Sequence, residues 1–212
     1  MFPLSLLLPN FISLGGIFLR YGSIGTDLSS LEAGFVVGVF LISLALFSFA
    51  LVGINLIIKS QRTLIRLTHY EKEKIEVHTL QLFTLFLSVF VLSFIANLFL
   101  YDTGLASSFG LLFSLLLSLA ILFAPQAMVI EESGLSASIR RSLSLSFLKF
   151  PYLIAFLAIA CFLVLFVSFF FLLFADFRIA RFLAVIVNAL LVLPFLEVLK
   201  TQIYLSKYTL LK

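Results

Sequence analysis

The sequence predicts an all-α, polytopic transmembrane helical bundle of about six spans in a single domain, residues 1–212. Three observations carry that reading. The chain is 63% hydrophobic and only 11% charged, against about 25% charged in a soluble domain, and its mean hydropathy is +1.25. Its apolar stretches approach the ~20 residues needed to cross about 30 Å of hydrocarbon. Between them, Lys and Arg fall almost wholly in alternate connections. A closed β-barrel would alternate polar and apolar residues over segments of about ten, whereas Leu111-Leu112-Phe113 and Phe169-Phe170-Phe171 are continuously apolar.

The first stretch, Phe2–Phe18, is the shortest and carries Pro9, Asn10, Gly15 and Gly16. It has no basic n-region and no small-residue cleavage site before Arg20, so it reads as a span and not as a cleaved signal peptide. Gly34–Ile58 is the second span. Arg62 and Arg66 in the following connection share a helical face, so this helix is expected to run on into the headgroup region. Charges then alternate in sign from Glu71 to Glu76, the pattern of a solvated helix end in which Lys72 and Glu76 can pair. His69 and His78, the only histidines, read as solvated interfacial residues with no cysteine or acidic cluster to complete a metal site.

Leu80–Leu100 is the third span, and Phe109–Ile130 the fourth, with Pro125 and Gln126 near its end. Glu131, Glu132, Ser133 and Gly134 close it. Leu135, Ile139, Leu143 and Phe147 then recur every four residues, with Ser136, Arg140, Arg141 and Ser144 on other faces. That is the pattern of an amphipathic helix lying in the interface plane. Pro151 suits the first turn of the fifth span, Pro151–Phe174. Cys161 within it, the only cysteine, reads as a buried small hydrophobe. The sixth span, Phe182–Leu199, contains Asn188, Pro194 and Glu197.

Eleven of the fourteen Lys and Arg residues lie in Lys59–Thr79, Glu131–Phe150 and the segment from Lys200 to Lys212. With six spans these regions share one face, which the positive-inside rule makes cytoplasmic, with both termini inside. Were Phe2–Phe18 not a span, only the N-terminus would change sides. The net charge of +4 then describes an asymmetric protein of the cytoplasmic membrane facing anionic lipid headgroups, and not a nucleic-acid binder.

Ala124-Pro125-Gln126-Ala127-Met128-Val129-Ile130-Glu131-Glu132, then Gly134, Ile139-Arg140-Arg141-Ser142 and Lys149, resembles a signature of one bacterial and archaeal membrane family. Val192-Leu193-Pro194 through Ile203-Tyr204 resembles its last helix. These are six-helix proteins related to the membrane domain of glycerophosphoryl diester phosphodiesterases and to uncharacterised envelope proteins. The likeness covers roughly residues 80–212. It implies the fold and not the activity, because in such enzymes the phosphodiesterase activity belongs to a separate soluble domain. The polar or basic segment usual before the family's first helix is not found ahead of Phe2.

Ionisable groups at membrane depth mark transport or catalysis more often than packing, and here they are few. Glu197 lies between Pro194 and Lys200. Two roles compete for it: pairing with Lys200 or a basic residue of the connections, or lining a substrate or proton route. Asn55, Asn97 and Asn188 are expected to hydrogen-bond between helices, with Gln126 beside Pro125. Pro125 removes a bond to the carbonyl of Ile121, and Pro194 frees one near Ile186 that Asn188 or water is expected to satisfy.

No Ser–Lys or Ser–His pair lies at depth, and no His-Glu-x-x-His occurs. Glu131-Glu132 is similar to the paired glutamates of prenyl-protein peptidases, but Ser136 stands where those enzymes need arginine, and their later histidines are missing. Gly22 to Gly25 lacks the Lys and Ser/Thr of a phosphate loop. No inverted repeat is evident beyond the pairs Pro9-Asn10 and Pro125-Gln126.

The expectation is therefore a protein with no catalytic centre and no cofactor, acting as an interaction, scaffold or accessory subunit. A protein partner is expected at Arg140, Arg141 and the Lys59–Lys74 connection. The alternatives are a lipid or small-molecule permease using Glu197, Asn188, Gln126 and the proline breaks, or the membrane module of an enzyme whose catalytic part is another chain.

Overall fold

The computed structural model describes residues 30–63, 69–100, 106–174 and 177–209, so the stretch Phe2–Phe18 lies outside the described residues. Eight α-helices follow in order among those described: α1 (Ser30–Thr63), α2 (His69–Leu100), α3 (Ala106–Ile121), α4 (Ala124–Ile130), α5 (Leu135–Leu148), α6 (Phe150–Phe174), α7 (Phe177–Val187) and α8 (Leu193–Thr209). A π-helical turn, Asn188–Val192, joins the last two. Val37–Gln61, Lys74–Ala96, Phe150–Leu173 and Leu183–Ser206 are each long and apolar enough to cross a membrane. The chain is an all-α bundle and a membrane protein.

The two prolines inside expected spans have different outcomes. Phe109–Ile130 is not one helix but two, α3 and α4, broken at Leu122 and Phe123. Pro125 falls in the first turn of α4, where its missing N–H leaves no bond unmade. Before it the chain tightens, Leu122 N–H reaching back three residues to the Leu119 carbonyl at 3.4 Å. Pro194 instead stays within one continuous span. The residue four before it is Leu190, not the expected Ile186, and it lies inside the π-turn. The wider winding relieves the clash between the proline ring and that carbonyl, and Leu193 N–H bonds to Asn188 O. Pro151 opens α6 as expected, and Leu153 N–H bonds to Lys149 O at 2.9 Å.

The core has two halves that meet on α4. Phe123 and Ala127 join Leu145 of α5, Leu153, Phe156, Ala160 and Val164 of α6, and Leu196 and Tyr204 of α8. Ala124, Met128 and Val129 join Leu51, Val52 and Leu56 of α1 and Leu82, Leu85 and Phe86 of α2. Ala124 through Val129 are all buried, so this short helix is a wedge at the centre of the bundle. The other face of α6 exposes Phe162, Phe166 and Phe169, with the Phe162–Phe166 rings stacked at 6.0 Å. In hydrocarbon such exposure carries no penalty.

Candidate functional site

Polar side chains gather at one end of the bundle, on positions that continue the apolar faces of their helices. On α1, Asn55 and Lys59 extend the buried row of Ser48, Leu51 and Val52. On α2, Lys74 and His78 precede Leu82 and Leu85 at the same spacing. On α8, Glu197, Thr201 and Tyr204 follow one another at intervals of four and three residues, with Lys200 alongside. α4 brings Gln126 to the middle, and the loop after it carries Glu131 and Glu132.

The deeper half of this layer is centred on Glu197, only 4% exposed. Its Oε1 pairs with the ammonium of Lys200, one turn on and equally buried. Its Oε2 accepts from Gln126 Nε2 at 3.0 Å. Thr201 Oγ1 donates to the Glu197 carbonyl (2.7 Å) and stands 2.9 Å from Asn55 Oδ1. Gln126 Nε2 also lies 3.5 Å from Thr201 Oγ1. Three helices, α1, α4 and α8, are thereby tied by side chains that avoid contact with hydrocarbon. The expectation that Glu197 pairs with Lys200 holds, as does the interhelical role of Asn55.

Nearer the surface, Glu131 and Glu132 act separately. Glu131 accepts from Tyr204 Oη and pairs with Arg141, joining α8 and α5. Glu132 pairs with Lys59, at 3.1 Å, and with Lys74, joining α1 and α2. It takes the left-handed position after the end of α4, φ 51°, where glycine is the usual residue. The carbonyls left open at that helix end are met by Ser133 Oγ, 2.8 Å from Ala127 O, and by Lys59 Nζ, 3.4 Å from Val129 O. Hydrogen bonds from Lys74 and then Lys59 hold the Glu132 carboxyl below its ordinary value of 4.5, outweighing its slight burial.

Helix α5 corrects the sequence reading in part. It packs on α3 and α4 with serines: Ser138, Ser142 and Leu145 are buried. Ser142 Oγ accepts the Phe123 N–H at 3.0 Å, filling the donor that the break beside Pro125 sets free. A repeat of four residues drifts about 40° per step around a helix of 3.6 residues per turn. So Leu135 and Ile139 pack against the core, while Leu143 is 37% and Phe147 77% exposed. The apolar stripe begins on protein and ends facing outward.

Other expectations fall differently. His78 is not solvated but 6% exposed, because it shares the face of α2 that packs inward at Leu82. Cys161 is half-buried. Asn188 is buried in the π-turn, and its Oδ1 has no hydrogen-bond partner among the described residues. Arg140 is exposed and forms no ion pair among the described residues, whereas Arg141, Lys59 and Lys74 are committed internally. The side chains of Asn97, Arg62, Arg66, His69 and Lys72 lie outside the described residues. Thr201 and Tyr204 were missed as site residues, although their spacing from Glu197 was a signal.

Among the described residues no three His, Cys, Asp or Glu side chains converge as metal ligands. Ser133 and Ser138 share a hydrogen bond of 2.7 Å, and Ser138 also donates to Gly134 O at 2.9 Å, so these hydroxyls serve the loop rather than a nucleophile–base pair. Comparisons with protein-family models, curated proteins and solved structures gave no match. The arrangement itself is therefore the guide to function.

Proposed function

We propose that this chain is a multi-pass protein of the cytoplasmic membrane, with both termini cytoplasmic, that works as an accessory or scaffold subunit and not as an enzyme. One observation carries the reading. The acidic groups at the candidate site, Glu131, Glu132 and Glu197, are each bound to basic or hydroxyl groups of the same chain: Glu131 fixes α5 to α8 through Arg141 and Tyr204, while Glu132 and Glu197 brace the helices around it. A helix held this firmly, with Arg140 turned outward beside Leu143 and Phe147, presents a set surface at the membrane boundary. The concentration of basic residues at this end supports its assignment to the cytoplasmic side.

The expected partner surface is accordingly narrower than the sequence suggested and centres on Arg140. A photo-crosslinker at Ser144 is the test, because that position is exposed on the same face. One stoichiometric protein adduct, lost in Arg140→Glu, supports the scaffold reading; adducts to lipid alone sink it. The resemblance to a phosphodiesterase membrane domain is compatible with such a role, the catalytic part then being another chain.

A lipid or small-molecule permease is the second reading, favoured by the Gln126–Glu197 hydrogen bond between two interrupted helices. It requires Glu197→Gln to abolish transport while expression is retained, and an unchanged flux removes it.

A further inference from the structure

The deeper cluster holds hydrogen-bonding capacity that the protein does not fill. Gln126 is fully buried, and while its Nε2 meets Glu197 and Thr201, its Oε1 meets no donor among the described residues. Turning the amide over would set that oxygen against the Glu197 carboxylate, so the network itself fixes which atom is which. Lys200 is 3% exposed, and its ammonium has three N–H donors. Among the described residues it meets one acceptor, Glu197 Oε1. A buried acceptor without a donor and a buried cation with two idle donors are both costly. Both groups hang on the two oxygens of one carboxylate, so they are close neighbours.

We propose that Glu197 organises a binding site for one hydroxyl group, which donates to Gln126 Oε1 and accepts from Lys200 Nζ. The chemistry selects that class. An amine cation would be repelled by Lys200. A carboxylate or phosphate would confront Gln126 Oε1 with a second acceptor, and a ketone would leave it unmet. A hydroxyl answers both groups at once, and it belongs either to water or to a small hydroxylated solute. Buried waters characteristically take two to four such partners. The surroundings agree: α4 begins at a helix break and α8 follows a π-turn, and irregular backbone at membrane depth is tolerated where it is enclosed by protein or lines a polar cavity. This site is independent of whether the chain is a scaffold or a permease.

The test uses the wild-type chain in lipid nanodiscs, in an experimental structure at a resolution that shows ordered water. The expected result is a density peak within hydrogen-bond distance of both Gln126 Oε1 and Lys200 Nζ, lost in Gln126→Met. A dry site, or Lys200 Nζ bonded directly to Gln126 Oε1, overturns the proposal, and the wild-type measurement stands even if the variant fails to fold. Mass spectrometry of the extracted small molecules then separates the sources. A stoichiometric hydroxylated solute identifies a ligand, and its absence alongside the density peak identifies water.

Discussion

Pro125 and Pro194 pose the same local problem, a missing N–H and a ring that crowds the carbonyl four residues back, and the chain solves it in two ways. At Pro125 the helix stops and restarts, and the freed, buried Phe123 N–H is taken by Ser142 from another helix. At Pro194 the helix continues through a π-turn that closes its own bond from Leu193 to Asn188. The difference lies in what stands alongside. A serine-faced helix lies against the first break, so the chain can part there without leaving a donor unmet. The second break mends itself and keeps α7 and α8 in one span. The first solution creates a detached half-helix that needs clamps at both ends, and the polar layer supplies them.

The strongest link between the two breaks is Glu197, which reaches Gln126 from beyond Pro194. Glu197→Ala leaves Lys200 buried without its carboxylate, a loss of about 3–5 kcal/mol by the rule for one-sided removal of a buried pair. Unfolding by SDS titration in mixed micelles reads it. The double variant Glu197→Leu/Lys200→Leu is expected to recover most of that loss, since packed apolar residues often replace a buried pair at little cost. A double variant as weak as Glu197→Ala would show that Gln126 and Thr201, and not the ion pair, hold the two breaks together.

Ser142→Ala attacks only the first break. It strands the buried Phe123 N–H, at about 1–3 kcal/mol, and hydrogen exchange at Phe123 is expected to accelerate, while Ser144→Ala, on the exposed face, changes stability by less than about 0.5 kcal/mol. Equal effects from the two serines would mean that the Ser142 bond does not secure the break. Pro125→Ala sharpens the point: with Ser142 still in place the break is expected to persist, because packing of α5 and not the proline alone now maintains it.

These results bear on what could be read from residues alone. The helical fold was legible because hydropathy over a window of about twenty residues is a summed signal that no single residue overturns. The Glu197–Lys200 pair was legible because i,i+3 neighbours meet on any helix. The face of α5 was not. A four-residue apolar repeat looks like one stripe, and only packing decided that Ser138 and Ser142 would turn inward to meet a backbone gap nineteen residues upstream. The ends of α4 were hidden for the same reason, since partners such as Lys59 and Glu132 lie seventy-three residues apart. His78 illustrates the converse. It follows closely on the charged run from Glu71 to Glu76, yet helix phase carries it inside.

The clamp at the far end of α4 is expected to be pH-dependent. Glu132 has a folded value held below 4.5 by Lys74 and Lys59. A depressed carboxyl contributes stability that is present above 4.5 and is lost as pH falls through the folded value. Because its side chain is 44% exposed, the contribution is no more than about 1 kcal/mol. Glu132→Gln is expected to remove the part of the acid dependence that this residue supplies, measured as Tm between pH 7 and pH 3. A wild-type and variant with identical pH profiles would place the acid sensitivity elsewhere.

The smallest effect tests the start of α5, on which the Ser142 contact depends. Gly134 is the N-cap of that helix, and it makes no side-chain bond to the open N–H groups of the first turn. Its φ of −65° is ordinary for any residue, and a Cβ there would meet nothing within 4 Å. Gly134→Ser is therefore expected to stabilise by a few tenths of a kcal/mol, by supplying the missing cap. Its Tm should rise slightly, and hydrogen exchange at Phe123 should slow with it. A rise in Tm without slower exchange at Phe123 would uncouple the start of α5 from the break, and Ser142 would then be positioned by the Ser138–Leu145 face alone.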